Sequence, residues 1–135
     1  MGKIEVSKDL CLDFTKLKKV AALGDFIPAI AQDIETNTVL IIGYVNNKAL
    51  DYALANKVAT FWSTSRNELW VKGKTSGDML ELVEVLVNCE QNSIVYRVKM
   101  TGKAACHAKD ENGEARFSCF YRKISAGALE FIESD

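Results

Sequence analysis

Apolar and polar positions alternate along much of this chain with the period of half-buried strands. The apolar runs over residues 26–33 and 38–45, separated by the polar word Ile34-Glu35-Thr36-Asn37, predict a β-hairpin. Asn46 or Asn47 then offers a side-chain cap to a helix in which Ala49, Leu50, Ala53 and Leu54 recur on one face before Asn56. Five further strands are predicted over 58–63, 68–72, 80–89, 93–100 and 117–124, with Ser, Asn, Gly and Lys between them. In the 80–89 run Leu80 and Leu82 share a face, and the alternation past them leaves Val83 or Glu84 to change sides. Residues 125–135 are expected to form one short helix or to fray. The pattern predicts an α+β fold, mostly antiparallel sheet with one main helix.

A length of 135 residues, 48% of them hydrophobic, suits one domain spanning 1–135 with a sizeable core. The 17 basic and 18 acidic residues give a net charge of -1, which supplies no long-range field to attract nucleic acid or an anionic membrane. An anionic ligand would have to be held by local groups. No apolar run is long enough to span a bilayer, and the Met1-Gly2-Lys3-Ile4-Glu5 start lacks the apolar core of a signal peptide. The expectation is a soluble, cytoplasmic protein without membrane or nucleic-acid partners.

In a reducing compartment the four cysteines suit metal ligation or apolar burial better than disulfides. Cys11, between Leu10 and Leu12, is expected to be simple packing. Cys89, Cys106 and Cys119 lie in polar or small-residue surroundings and outline an open zinc site, because catalytic zinc takes three protein ligands and keeps a fourth position for water. His107, the single histidine, adjoins Cys106 and is the candidate general acid or base, with orientation of a zinc ligand as its other reading. Arg66 and Lys72, with Ser63, Ser65, Thr75 and Ser76, stand in polar words between predicted strands, where the cations suit an anionic ligand by charge and fork geometry. Trp62 and Trp70 could stack on a base, although core packing is the commoner use of a strand tryptophan.

In order, the words Gln32-Asp33, Gly43-Tyr44-Val45-Asn46, Phe61-Trp62-Ser63-Thr64-Ser65-Arg66, Leu69-Trp70-Val71-Lys72-Gly73, Thr75-Ser76-Gly77 and the three cysteine words resemble phosphoribosyl-AMP cyclohydrolase of histidine biosynthesis. The likeness covers about residues 13–124. It implies a homodimeric zinc enzyme, with each zinc site shared between subunits. The implied reaction is hydrolysis of the N1–C6 bond of the adenine ring of 1-(5-phosphoribosyl)-AMP, giving the phosphoribosylformimino-aminoimidazole carboxamide nucleotide. The resemblance makes Arg66, Lys72, Ser63, Ser65, Thr75 and Ser76 ligands of the substrate's phosphates and ribose rings. In most of that family the first cysteine sits in Asp-Cys-Asp-x-Asp, whose carboxylates bind magnesium. Here the word is Asn88-Cys89-Glu90-Gln91-Asn92, so Asn88, Glu90 and Asn92 make a weakened second-metal site. Relatives also commonly have Glu at Lys74 and His or Asn at Asp78. Asp78 is a second candidate catalytic residue, able to carry a proton or hold a metal. The twelve residues between Cys106 and Cys119 exceed the family's usual spacing, and residues 108–114 read as a polar loop insertion of small entropic cost. Two other readings are a catalytically inactive, zinc-stapled nucleotide-binding relative and a purine deaminase. The deaminase reading lacks the His-x-Glu and Pro-Cys-x-x-Cys signature.

Overall fold

The computed structural model describes residues 3–132. Its main sheet has four strands in the order β2-β1-β6-β5. The strands are β1 (Ile27–Asp33), β2 (Val39–Val45), β5 (Leu80–Val87) and β6 (Ile94–Met100). β1–β2 is the expected hairpin; Asn37 turns it at φ 63° and donates its N–H to the Asp33 carbonyl at 2.8 Å. β5 and β6 are also antiparallel, whereas β1 and β6 run parallel. That one parallel pair tempers the mostly antiparallel expectation, and it brings together strands more than sixty residues apart.

The described residues form three helices: α1 (Lys3–Val6), α2 (Lys16–Ala21) and α3 (Asn47–Asn56). α3 is the predicted main helix. Asn46, rather than Asn47, caps it by accepting the Ala49 N–H at 3.0 Å. Lys57 closes it in the left-handed region and donates to the Ala53 carbonyl. Ala49 and Ala53, one turn apart, are buried, and their small side chains let the helix lie close over β2, β3 (Thr60–Ser63) and β4 (Glu68–Val71). The two short N-terminal helices were outside the sequence prediction.

The core gathers Ala29, Ala31, Leu40, Val45, Phe61, Leu80, Tyr96 and Val98 on the helix-covered face. Gly43 has no side chain because a Cβ there would stand 2.6 Å from Cδ1 of Phe61. The Phe61 ring therefore packs against bare β2 backbone, edge-on to Tyr96. In β5 the change of face is made by a bulge between Leu82 and Glu84 that leaves Val83 exposed. Val85 then returns to the core side.

β3 (Thr60–Ser63) and β4 (Glu68–Val71) form a second hairpin, close to the predicted strands; Val58 contributes only an isolated bridge to Glu81. Two expectations are corrected at the C-terminus. Only the end of the 117–124 segment is strand, and the tail is neither helical nor frayed through residue 132, since β7 (Arg122–Ser125) pairs with β8 (Ala128–Phe131). Ala126 and Gly127 both take positive φ, the geometry of a two-residue hairpin turn whose twist matches the strands. Residues 133–135 lie outside the described residues. Cys11 is a third correction: it is exposed, so it contributes nothing to packing. Among the described residues no helix is long and apolar enough to cross a membrane.

Candidate active site

The segment carrying Cys119 lies along the free side of edge strand β2. The Cys119 N–H donates to the Leu40 carbonyl at 2.8 Å and the Ser118 hydroxyl to the Val39 carbonyl at 2.7 Å. The segment carrying Cys106 is tied to it by Ala105 N–H donating to the Phe117 carbonyl at 3.0 Å and Cys106 N–H to the Arg116 carbonyl at 3.1 Å. These bonds close the base of the long loop, and Lys109 and Ala115 continue the ladder. At the tip, Asp110 accepts the N–H groups of Asn112 and Glu114 through Oδ1, and Gly113 takes φ 78°. The inserted residues thus form a self-contained protrusion, and the two cysteines at its base stay together.

The Cys106 and Cys119 thiols lie close enough to perturb each other's titration, and Cys106 Sγ also accepts the Ala108 N–H at 3.4 Å. Cys106 is pushed down to about 6, first by the Cys119 S–H donor, against the cost of burial, with help from the Ala108 N–H and the positive charges of His107 and Lys72. Cys119 is driven up, because it supplies that donor and is itself buried. The pair therefore shares one proton at neutral pH, a thiolate beside a thiol. Lys72 is the last and smallest part of the reason: only 7% exposed, it lies near enough to lower both thiols electrostatically, although its sequence context suggests a phosphate ligand. Burial of a lysine beside residues more than thirty positions on leaves no local sequence signal.

Cys89 stands apart, exposed just beyond β5. Among the described residues no group of three or more His, Cys, Asp and Glu side chains is arranged to hold a metal ion, so one copy of the chain brings two of the three cysteines together. A thiolate–thiol pair next to a cation suits zinc, a borderline-soft ion that binds deprotonated sulfur. The Asn88, Glu90 and Asn92 group suits magnesium poorly. Asn88 Oδ1 accepts the N–H groups of Asn92 and Ser93, and its Nδ2 donates to Asn92 Oδ1 at 2.7 Å. The Asn92 amide in turn approaches Glu90 Oε2 at 3.5 Å. These side chains organise a turn, with one carboxylate among them, where a hard ion prefers charged oxygen.

The β3–β4 turn collects Ser63, Ser65 and Arg66. The serine hydroxyls are 3.4 Å apart, the Arg66 N–H donates to Ser63 Oγ at 3.3 Å, and the guanidinium lies 3.4 Å from Glu68. Trp62 donates its indole N–H to Asn67 and tilts toward Phe26; Trp70 packs against Phe61 and the core. Packing is thus the role the structure gives Trp70. Thr75 and Ser76 are exposed in the loop after β4, where Ser76 Oγ accepts the Asp78 N–H at 3.3 Å. Asp78 is wedged between two glycines: a Cβ on Gly73 would meet its backbone at 2.1 Å and one on Gly102 its Oδ1 at 2.0 Å. This packing joins the Thr75–Ser76 loop to the strand end that leads into Cys106.

His107 projects to solvent, its side chain 83% exposed, with Nε2 4.0 Å from Glu5 Oε1. Glu5 was absent from the sequence reading because nothing in the N-terminal segment signals where α1 docks.

A family model for phosphoribosyl-AMP cyclohydrolase matches residues 41–121, which contain every candidate site residue named above except Glu5. A phosphoribosyl-AMP cyclohydrolase of Hyphomonas neptunium is 45% identical over 78% of this chain and 75% of its own length. Those of Chlorobium chlorochromatii and Methanobrevibacter smithii are 40% and 43% identical, over 98% and 81% of this chain and 89% and 78% of their own. A match of this extent, running through both the paired cysteines and the turn that gathers Ser63 and Arg66, makes the chain a member of the phosphoribosyl-AMP cyclohydrolase family of enzymes.

Proposed function

We propose that this chain hydrolyses the N1–C6 bond of the adenine ring of 1-(5-phosphoribosyl)-AMP, a step of histidine biosynthesis, using zinc held by Cys106 and Cys119 of one copy and Cys89 of a second. The observation that carries the reading is the Cys106–Cys119 pair, which offers a soft metal two sulfurs and leaves the third cysteine exposed elsewhere on the molecule. A second copy has a surface to use. Pro28, Ile30, Ile42, Leu86, Val87 and Ile94 line a depression of about 400 Å³ on the sheet face opposite α3, next to Asn88, and Ile42, Leu86 and Val87 are roughly half exposed. An apolar face of that kind on a sheet supports self-association.

Zinc held by Cys106, Cys119 and a second copy's Cys89 would supply a water acidified enough to act as nucleophile near neutral pH. The remaining work belongs to the chain. Lys72 offsets the negative charge that two thiolates would concentrate in a buried place. The ribosyl phosphate on N1 makes the neighbouring C6 electrophilic and N1 a competent leaving group, so attack at C6 opens the ring instead of expelling the exocyclic amine. As the C6–N1 bond breaks, its electron pair stays on N1, which takes up a proton. The attacking oxygen becomes the carboxamide oxygen. His107, beside Cys106 and open to solvent, is the first candidate to move that proton, and Asp78 is the second. Arg66 with the Ser63 and Ser65 hydroxyls, and the exposed Thr75 and Ser76, supply groups that suit the substrate's two phosphates.

The test is to mix purified, zinc-loaded protein with phosphoribosyl-AMP and follow ring opening by absorbance, with Cys106→Ala as control. Turnover that the control lacks supports the reading. Absence of turnover by a zinc-loaded, folded protein overturns it.

A further inference from the structure

The N-terminal segment is fastened beside His107 by side chains that follow Cys119. Arg122 donates through Nη1 to the carbonyls of Ile4 at 2.7 Å and Ser7 at 2.8 Å, which flank Glu5 on both sides. The Tyr121 hydroxyl donates to the Glu5 carbonyl itself, and the Leu129 N–H to the Lys8 carbonyl at 2.8 Å. A four-residue helix has no stability of its own, so these bonds determine where α1 sits. The anchors are in turn stiff: the Arg116 and Arg122 guanidinium groups lie over the Tyr121 ring at 4.6 and 4.9 Å, and Tyr121 packs on Phe131 with ring centroids 5.9 Å apart.

What this strap delivers is one carboxylate. The Glu5 side chain is 27% exposed, but its Oε2 is buried with no hydrogen-bond partner among the described residues, and its Oε1 lies 4.0 Å from His107 Nε2. A buried carboxylate oxygen without a donor is costly to keep, which marks the group as held for something the free chain does not complete. The group within reach of Oε1 is the His107 ring, and a 4.0 Å separation is the loose spacing that catalytic hydrogen bonds show before substrate binds.

We propose that Glu5 is a positioning residue for His107, accepting a hydrogen bond from Nε2–H so that the imidazole holds one rotamer with Nδ1 directed to the reacting nucleotide. The inference rests on the function proposed above and deepens it. Glu5, Arg122 and the β7–β8 hairpin lie outside residues 41–121, so the device joins the chain's two ends to the region that the family model matches. Its logic is that of outer groups that orient a working histidine through the ring's far nitrogen.

The experiment compares Glu5→Ala and Glu5→Gln in the full-length, zinc-loaded protein. Because the chain has one histidine, a histidine-labelled sample gives a single imidazole spectrum without assignment. Side-chain couplings should report one dominant χ1 rotamer in the unsubstituted protein and in Glu5→Gln, which keeps an acceptor, and averaging in Glu5→Ala. In steady-state assays Glu5→Ala should lower kcat about 10-fold with KM within about 2-fold, and Glu5→Gln should restore most of the loss. Adding Glu5→Ala to His107→Ala should cost nothing further. The proposal is overturned if the rotamer distribution is the same in all three proteins, if kcat is unchanged, or if the double variant loses activity additively. Failure of the unsubstituted protein to turn over phosphoribosyl-AMP would instead remove the proposed function, and the rotamer comparison would still decide the Glu5–His107 contact.

Discussion

Gly102→Ala is the substitution whose consequences the geometry specifies most closely. A Cβ on Gly102 would stand 2.0 Å from Asp78 Oδ1, 3.0 Å from its Cγ and 3.1 Å from its Cα. Non-bonded carbon and oxygen do not approach below about 3 Å, so the carboxylate must retreat by roughly 1 Å. The backbone of Asp78 cannot follow it freely, because Gly73 packs bare against the Asp78 carbonyl on the other side. Displacing a wedged side chain of this size costs about 2 kcal/mol, which for a chain of this length lowers the thermal midpoint by about 7 °C. A displacement near 1 Å beside reacting groups can lower kcat by up to about 100-fold. Differential scanning fluorimetry and the ring-opening assay read both effects. Adding Asp78→Ala removes the clashing oxygens, so the double variant should regain most of the lost stability and none of the lost activity. An unshifted midpoint in Gly102→Ala, or no recovery in the double variant, would refute the contact and with it the linkage of Asp78 to the Cys106 segment.

Three further outcomes are expected. In metal-free protein Cys106 should alkylate as a thiolate at neutral pH and lose that reactivity as pH falls through about 6, because its lowered value keeps it deprotonated above that pH; Cys119→Ala removes the S–H donor and should move the loss upward in pH. Lys72→Met, which keeps the stem but deletes the buried charge, should raise the Cys106 value and weaken zinc retention against a chelator, with unchanged retention contradicting its placement. Because Asn88, Glu90 and Asn92 hydrogen-bond among themselves, turnover should either ignore magnesium or need it at high concentration, and saturation at trace magnesium would contradict this reading.

Local features were legible because their causes are local. The β1–β2 hairpin follows from two apolar runs around a polar turn, and α3 from alanines and leucines at helical spacing behind a capping asparagine. The cysteine words and the Ser63–Arg66 turn were legible as motifs, and the structure gathers the latter into one turn. Pairing across the chain was not. The parallel β1–β6 contact depends on which strand edge remains open after both hairpins form. The C-terminal hairpin turns on Ala126 and Gly127, and alanine at positive φ is a weak turn signal. The site shows the same division: Cys106 and Cys119 were identified by type, but their shared proton, the buried Lys72 beside them and Glu5 beside His107 arise from tertiary contacts that no local pattern announces.

The central claim is a site assembled from two copies, and subunit mixing tests it most directly. Cys89→Ala and Cys106→Ala each remove a ligand, so each alone should be inactive and poor in zinc. Co-refolded in equal amounts, half of the dimers should pair one variant with the other, and each such dimer should hold one intact site. The account predicts recovery of about a quarter of the unsubstituted activity, with matching zinc. A mixture as inactive as its components, under conditions where mixed dimers are shown to form, would contradict the shared site.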